Sequence, residues 1–121
     1  MSAPVWIAVG LLGGVGALLR FVVDGIVTAQ VRRDLPIGTF LVNVSGSALL
    51  GFLVGLGFTG DRLVLVGTAT IGSYTTFSTW MLEAHRLAED GELAAAGANL
   101  LVSLAVGLGA AALGRAIGRQ L

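Results

Sequence analysis

Four long apolar segments joined by short connections constrain the fold of this chain more than any other feature. They cover about residues 4–29, 36–58, 62–87 and 93–118. Each is about long enough to cross a bilayer as a helix, and such short connections force neighbouring segments to run antiparallel. Only 12% of the residues are charged, against roughly 25% in a soluble domain. The sequence therefore predicts an all-helical membrane protein whose single domain has four spans.

The polar composition argues against several classes of function. With no cysteine in the chain, we expect neither disulfides nor a cysteine metal site. The net charge of zero gives no reason to expect nucleic acid as a partner. The single histidine, His85, lies near a helix end, and an intramembrane hydrolase would need an embedded acid, base or metal cluster. We therefore expect a protein that is not an enzyme and that is surrounded by membrane lipid.

Small residues recur at helical spacing in three of the segments. The pairs are Gly10 with Gly14, Gly51 with Gly55, and Gly107 with Ala111. Small residues four apart allow two helix backbones to approach closely in lipid. We expect each pair to mark a helix–helix contact.

The third segment combines an uncharged run with a dense cluster of hydroxyl side chains. Residues 63–82 contain no charge, yet seven hydroxyl side chains lie between Thr70 and Thr79, beside Gly72. Hydroxyls are costly in hydrocarbon unless they are hydrogen-bonded. One or two of them can bond to carbonyls one turn earlier. Seven in one span favour a wet pathway or an ion site.

Further polar side chains follow one face of the second segment and of the fourth. Thr39, Asn43 and Ser47 are spaced at i, i+4 and i+8, and Asn99 and Ser103 at i and i+4; this spacing places each set on one helix face. An asparagine at membrane depth is either a hydrogen-bonded link between helices or a donor that points into an ion path. The sequence leaves both interpretations of Asn43 open.

Two aromatic residues share a face of the third segment. Phe77 and Trp80 are three residues apart, with Ser78 and Thr79 between them. Aromatic pairs at this spacing usually pack in a core, but these are interleaved with hydroxyls. Because ring edges carry partial positive charge, the pair is also suited to line a path for an anion.

The arginines are almost evenly divided between the two sides of the predicted bundle. One side has Arg62, Arg115 and Arg119; the other has Arg32, Arg33 and Arg86, with Arg20 if it reaches the surface. An excess of basic residues on one side sets the orientation of a membrane protein. The balance predicts either insertion in both orientations or one orientation set by a weak bias.

These motifs together resemble the Fluc (CrcB-type) family of fluoride channels. Residues 13–20 (GGVGALLR) resemble the glycine-rich first span of that family, and residues 38–46 (GTFLVNVSG) its second-span motif. Residues 72–79 (GSYTTFST) resemble the break motif of its third span, and residues 99–109 its fourth span. Any one of these motifs is weak evidence, but their order along a chain of this length is specific.

The resemblance implies an architecture and an activity. It implies a dual-topology, antiparallel dimer whose third helix is broken mid-membrane, with a structural sodium ion (Na+) at the dimer centre. The backbone carbonyls of Gly72 and Thr75 would bind the sodium. The protein would let fluoride leave a prokaryotic cell passively through the plasma membrane and so relieve fluoride toxicity. A homodimer is expected, with a heterodimer of related chains as the alternative.

The resemblance also assigns roles to individual side chains. The fluoride pore would be formed by Asn43, Phe77, Trp80, Thr39, Ser78, Thr79 and Ser103, and the vestibule by Arg20 and Glu83. The chain departs from the family pattern at two positions. Trp80 occupies a position where phenylalanine is usual, and Asn99 stands where a tyrosine is expected.

Two other functions remain as alternatives at the level of sequence. A small dual-topology, proton-coupled drug exporter would be expected to carry a carboxylate deep in its first span, whereas Asp24 lies near the end of that span. A non-conducting membrane scaffold is the other alternative. Fluoride fits the residues better, because a small, tightly hydrated anion needs several neutral donors that hold it without trapping it.

Overall fold

A computed structural model describes residues 1–31 and 35–121 as an all-helical chain. Within these residues, three helices are long and apolar enough to cross a membrane, and they make this a multi-pass membrane protein. Arg32 and Arg33, which contribute to the predicted arginine balance, lie outside the described residues. The three helices are α1 (Ala3–Gln30), α2 (Ile37–Gly55) and, at the end of the chain, α6 (Leu93–Gln120).

Helix α1 is exposed over almost its whole length. Its first turn contains Pro4, a residue that helices tolerate at this position, and Gly16 is its buried residue. Most of its large apolar side chains are exposed; Phe21, for example, is 78% exposed. In lipid such a surface needs no protein cover, so α1 presents one narrow face to the rest of the chain.

Helices α2 and α6 make the most extensive helix–helix contact in the described part of the chain. A Cβ atom added to Gly51 would overlap the carbonyl oxygen of Ala111, and one added to Gly114 would overlap that of Ala48. Gly118 meets the carbonyl of Phe52 in the same way. The backbones therefore touch directly, as small residues in membrane helices permit.

The predicted glycine contacts are only partly those of the structure. Gly51 and Gly55 do lie against α6, as expected, but they meet the segment around Ala111 and Arg115. A Cβ atom added to Gly107 would lie 3.8 Å from the hydroxyl oxygen of Ser47 on α2, an ordinary van der Waals contact. No described atom lies within 4 Å of such a Cβ at Gly10 or Gly14. The spacing thus identified the α2 face and Ala111 on α6, but not Gly114 and Gly118, which also make close contacts with α2.

The third apolar segment is divided into four helical pieces. These are α3 (Gly60–Arg62), a π-helix (Leu63–Ile71), α4 (Gly72–Tyr74) and α5 (Ser78–Glu89). In the π-helix the Thr70 hydroxyl donates to the carbonyl of Leu65, five residues earlier, at 2.9 Å. A run of i→i+5 bonds is uncommon and is frequent at functional sites.

Between α4 and α5, residues 75–77 are not helical. Thr75 takes an extended conformation, with φ −79° and ψ 164°, and Phe77 is already in the helical region as α5 begins. The main-chain groups that the interruption leaves unpaired need other partners, because water is scarce at membrane depth. The π-helix and α4 pack on α1, where Gly16 lies against the Thr70 carbonyl. Helix α5 packs on α6.

Candidate ion-conduction site

A groove of about 410 Å³ lies beside the non-helical residues. Its walls come from α2, the π-helix, α4 and α6, so side chains that are far apart in sequence meet there. Six of the predicted site residues line it: Asn43, Gly72, Thr75, Phe77, Trp80 and Ser103. The groove is mostly apolar with a few polar groups, which is the usual character of a site that orients a small ligand.

The Asn43 side chain joins α2 to the non-helical residues through two hydrogen bonds. Its Nδ2 donates to the carbonyl oxygen of Thr76 at 2.8 Å, and its Oδ1 accepts from the main-chain N–H of Thr76 at 2.8 Å. The amide therefore replaces the helical partners that Thr76 lacks. Since Nδ2 has two hydrogens, one further donor remains on the amide. Asn43 thus acts as an interhelical link, and its geometry also permits a donor role.

Phe77 and Trp80 form an edge-to-face aromatic pair. Their ring centroids are 5.8 Å apart and their planes meet at 87°. Phe77 is 70% exposed, an unusual position for a large aromatic ring unless lipid or another chain covers it. Both rings line the groove.

Trp80 and Asn99 are in direct contact. The indole Nε1 donates to the carbonyl oxygen of Asn99 at 3.0 Å, and Asn99 Nδ2 donates to the carbonyl oxygen of Trp80 at 3.3 Å. Ser103 Oγ donates to Asn99 Oδ1 at 3.4 Å. Neither the indole N–H nor the Ser103 proton is therefore directed at the groove.

Three hydroxyls cluster at the start of α5. Thr76 Oγ1 accepts from the main-chain N–H of Thr79 at 3.2 Å and donates to Thr79 Oγ1 at 3.2 Å. Ser78 Oγ lies 3.4 Å from Thr76 Oγ1. Because Thr79 Oγ1 accepts in this arrangement, its own proton can point elsewhere. Since Thr76 has a single hydroxyl proton, Ser78 is the donor in its contact with Thr76. Thr79 is therefore the predicted pore hydroxyl whose proton has no acceptor in the described part of the chain.

Thr39 and Glu83 meet away from the groove. Thr39 is buried, and its hydroxyl donates to Glu83 Oε1 at 2.6 Å. Glu83 Oε2 is buried and has no hydrogen-bond partner among residues 1–31 and 35–121. Both side chains line a second cavity, of about 340 Å³, together with Asp24 and Arg86. The sequence placed these two residues in one pathway, and the structure places them in direct contact.

Arg20 lies on the other side of the non-helical residues. Its guanidinium donates to the carbonyl oxygen of Thr75 at 3.4 Å. It lines a third cavity, of about 330 Å³, with Asp24, Thr39 and Thr79. Asp24 and Thr39 line both the second and the third cavity. The two cavities are therefore adjacent, with these two residues between them.

The carbonyls of Gly72 and Thr75 are suited to a hard cation. In a continuous helix they would accept from the N–H groups of Thr76 and Thr79, but those donate to the side chains of Asn43 and Thr76 instead. The described contacts to the Gly72 and Thr75 oxygens are long ones, of 3.4 Å from the Thr75 hydroxyl and from Arg20 respectively. Carbonyl oxygens freed by an interrupted helix are typical ligands for sodium in membrane proteins.

Sequence reasoning did not include Thr76 and Asn99 in the predicted site. Thr76 provides both main-chain groups that Asn43 binds, and Asn99 anchors Trp80. A signal existed for Asn99, because it shares a helix face with Ser103. None existed for Thr76, since one hydroxyl among seven does not reveal which peptide unit will be left unpaired.

Comparison with known proteins connects this site to a family. The family described as "CrcB-like protein, Camphor Resistance (CrcB)" matches residues 7–115. The fluoride-specific ion channel FluC 2 of Mycolicibacterium paratuberculosis is 55% identical over 120 residues, 99% of this chain and 95% of the relative. FluC 2 of Mycobacterium bovis is 50% identical over 115 residues, which are 95% of this chain and 91% of the relative. FluC of Syntrophotalea carbinolica is 44% identical over 118 residues, covering 93% and 96%.

Proposed function

Since this chain belongs to the CrcB family, whose curated relatives carry the name fluoride-specific ion channel, we propose that it conducts fluoride passively. The family consists of ion channels, so the protein is not an enzyme. One observation carries the proposal beyond the family: the donors at the helix interruption are neutral and adjoin the Phe77–Trp80 pair. Fluoride would move along them out of the prokaryotic cytoplasm.

The available donors explain how such a site would hold fluoride without trapping it. Asn43 keeps one amide hydrogen and Thr79 keeps its hydroxyl proton, and both residues contact Thr76. An ion must leave its water behind to enter, and neutral donors replace that water weakly enough for the ion to leave again. A ring edge of Phe77 or Trp80 turned toward the ion would add partial positive charge. The guanidinium of Arg20, by contrast, binds the Thr75 carbonyl and would act at the vestibule.

We propose that the functional unit is an antiparallel, dual-topology dimer of four-span chains. The third span would consist of the segment from α3 to α5, interrupted mid-membrane at residues 75–77. Support comes from the open groove and from Phe77, which is 70% exposed beside it. A second copy lying over this face would cover the ring and complete the wall. Two identical chains are the simplest partners, and a related chain is the alternative.

A structural sodium ion at the centre of that dimer would bind the carbonyls of Gly72 and Thr75. The support is the unusual bonding of both groups, whose main-chain donors are directed to side chains. Gly72 is exposed, so its carbonyl can meet the same group of a second copy near a two-fold axis. Neutral oxygen ligands suit an alkali cation that stays bound while fluoride passes.

Fluoride efflux from liposomes that contain this chain alone tests the proposal. Vesicles loaded with potassium fluoride should release fluoride to an electrode only after valinomycin permits compensating potassium flow, because a passive channel carries net charge. Vesicles loaded with potassium chloride, and vesicles without protein, are the controls. Release that follows an imposed proton gradient without valinomycin would indicate a proton-coupled exchanger. No release under either condition would indicate a non-conducting scaffold. Recovery of flux only with a co-expressed relative would indicate the heterodimer.

A further inference from the structure

Trp80 and Asn99 form two reciprocal hydrogen bonds with each other. Each side chain donates to the main-chain carbonyl of the other residue, at 3.0 Å from the indole and 3.3 Å from the amide. Ser103 donates to Asn99 Oδ1, which orients the amide so that Nδ2 faces Trp80. Asn99 is itself buried. The contact is therefore a closed ring of bonds between α5 and α6 that excludes other partners.

The position of this contact gives it influence over the groove. Trp80 lies in the first turn of α5, which starts directly after the non-helical residues. Phe77 packs edge-to-face on its ring and is otherwise 70% exposed. The orientation of Phe77 therefore depends on that of Trp80, and the orientation of Trp80 depends on α6.

The indole N–H is the reason that tryptophan needs such an anchor here. A buried donor without a partner is costly, and a free indole N–H beside an ion path would bind the anion itself. Phenylalanine at this position has no such donor. Bonding to the Asn99 carbonyl directs the N–H away from the groove.

From this geometry we propose that Asn99 is a positioning residue that, held by Ser103, latches the Trp80 indole to α6 and thereby sets the Phe77–Trp80 pair. The expected effect on fluoride flux rests on the proposed channel function, whereas the hydrogen bonds of the latch do not depend on it. The proposal assigns the Trp80 N–H to the latch and not to the anion.

The latch itself can be measured without any transport assay. In detergent micelles, ¹⁵N spectra of the two tryptophan indoles are assigned with Trp6→Phe, and exchange of the Trp80 indole proton with solvent is followed. Asn99→Leu should speed this exchange at least tenfold, and Ser103→Ala about threefold, because each loosens the ring of bonds. The Trp6 signal should not change. Exchange that is the same in the native chain and in both variants would overturn the latch.

Fluoride flux tests whether the latch positions the pore. Asn99→Leu should reduce flux about tenfold in the native chain but less than twofold in a Trp80→Phe background, because a phenylalanine has no N–H to hold. An equal loss in both backgrounds would mean that Asn99 only joins two helices, and would overturn the positioning role. If the native chain conducts no fluoride, the channel proposal fails, and proton exchange still decides whether the latch exists.

Discussion

At the scale of single residues, most hydroxyls in the third segment are already committed to protein acceptors. Thr70 donates to the carbonyl of Leu65 and Thr75 to that of Ile71, at 2.9 and 3.2 Å. Such bonds to the preceding turn satisfy a hydroxyl locally. The cluster that suggested a wet pathway therefore supplies fewer free donors than its size implies. Those that remain lie around Thr76, where the helix is interrupted.

Replacing Asn43 should impair both the fold around Thr76 and conduction. Asn43→Ala removes two hydrogen bonds, and unpaired main-chain groups cost about 1–3 kcal/mol each. We expect the free energy of unfolding to fall by about 2 kcal/mol or more and fluoride flux to fall at least tenfold. Thermal unfolding in detergent and liposome efflux measure the two effects. The control is Ser45→Ala on the same helix, which removes an exposed contact between the Ser45 and Tyr74 hydroxyls. Equal effects from both variants would contradict the argument.

Removing the Thr39 hydroxyl should destabilise the protein through Glu83. Thr39→Val leaves Glu83 Oε1 without its 2.6 Å donor beside an Oε2 that has none in the described part of the chain. We expect a loss of about 1–3 kcal/mol in unfolding free energy. In a Glu83→Leu background the same substitution should cost much less, since no carboxylate remains to be stranded. Additive losses in the double variant would show that the two side chains do not interact. Thr28→Val, whose bond to Asp24 is 3.5 Å long, should cost under about 1 kcal/mol.

At the scale of elements, the α2–α6 pair is the rigid part of the structure, and the third segment is the irregular part. Glycine-mediated contact fixes α2 against α6. The π-helix and α4 pack on α1, and α5 packs on α6. The carbonyls of Gly72 and Thr75 and the proposed pore donors therefore belong to a segment that packs against α1 and α6.

Two glycines of α6 provide a matched test of the helix contact. A Cβ at Gly114 would overlap the Ala48 carbonyl, whereas at Gly109 no described atom lies within 4 Å. Gly114→Ala should therefore destabilise the protein by about 1–3 kcal/mol, the usual cost of overpacking. Gly109→Ala should leave stability unchanged or raise it by up to about 1 kcal/mol, because alanine favours the helix. Thermal unfolding of both variants in one detergent gives the comparison. A Gly114→Ala protein as stable as Gly109→Ala would refute the close contact.

At the scale of the whole molecule, the chain exposes the features that it would need to share with a partner. Phe77 and Gly72 are exposed beside the groove, and α1 has little protein cover. The proposed antiparallel dimer accounts for the first two, and lipid accounts for the third. Both the orientation and the ion at the dimer centre can be tested.

Fixing the orientation of every chain should abolish function if the dimer is antiparallel. Three lysines added after Leu121 should bias the C-terminus to the cytoplasmic side, because basic residues there resist translocation. Since the chain has no cysteine, one cysteine placed at Leu121 reports orientation through a membrane-impermeant maleimide. The native chain should label from both sides, and the lysine-tagged chain from one side, without fluoride flux. Full flux from a population labelled on one side would exclude the antiparallel arrangement.

Sodium should stabilise the assembly and should not drive transport. An ion that binds only the folded dimer raises its stability in proportion to the logarithm of its concentration. We expect the melting temperature in detergent to rise with sodium chloride but not with choline chloride at equal ionic strength. Gly72→Ala keeps the carbonyl and should retain much of this response, whereas Thr75→Pro alters the carbonyl geometry and should lose it. A melting temperature that is indifferent to sodium would argue against the ion.

The sequence determined the parts of this protein that depend on local pattern. Apolar segments of sufficient length predicted the long apolar helices, and the order of motifs predicted the family, which the comparisons confirm. Helical spacing placed Asn43 and Thr39 on one face, and both do point toward the third segment. These features follow from hydrophobicity and from the period of a helix, which a single chain carries in full.

Only the tertiary structure decided which groups meet. Periodicity did not predict the π-helix, the partners of Gly51 on α6, or the bond from Trp80 to Asn99. Spacing along a helix fixes the face on which a side chain lies, but not the height at which two helices cross. A hydrogen bond requires its donor and acceptor to be about 3 Å apart, so the relative height of α5 and α6 determines whether the Trp80 N–H reaches the Asn99 carbonyl or the groove.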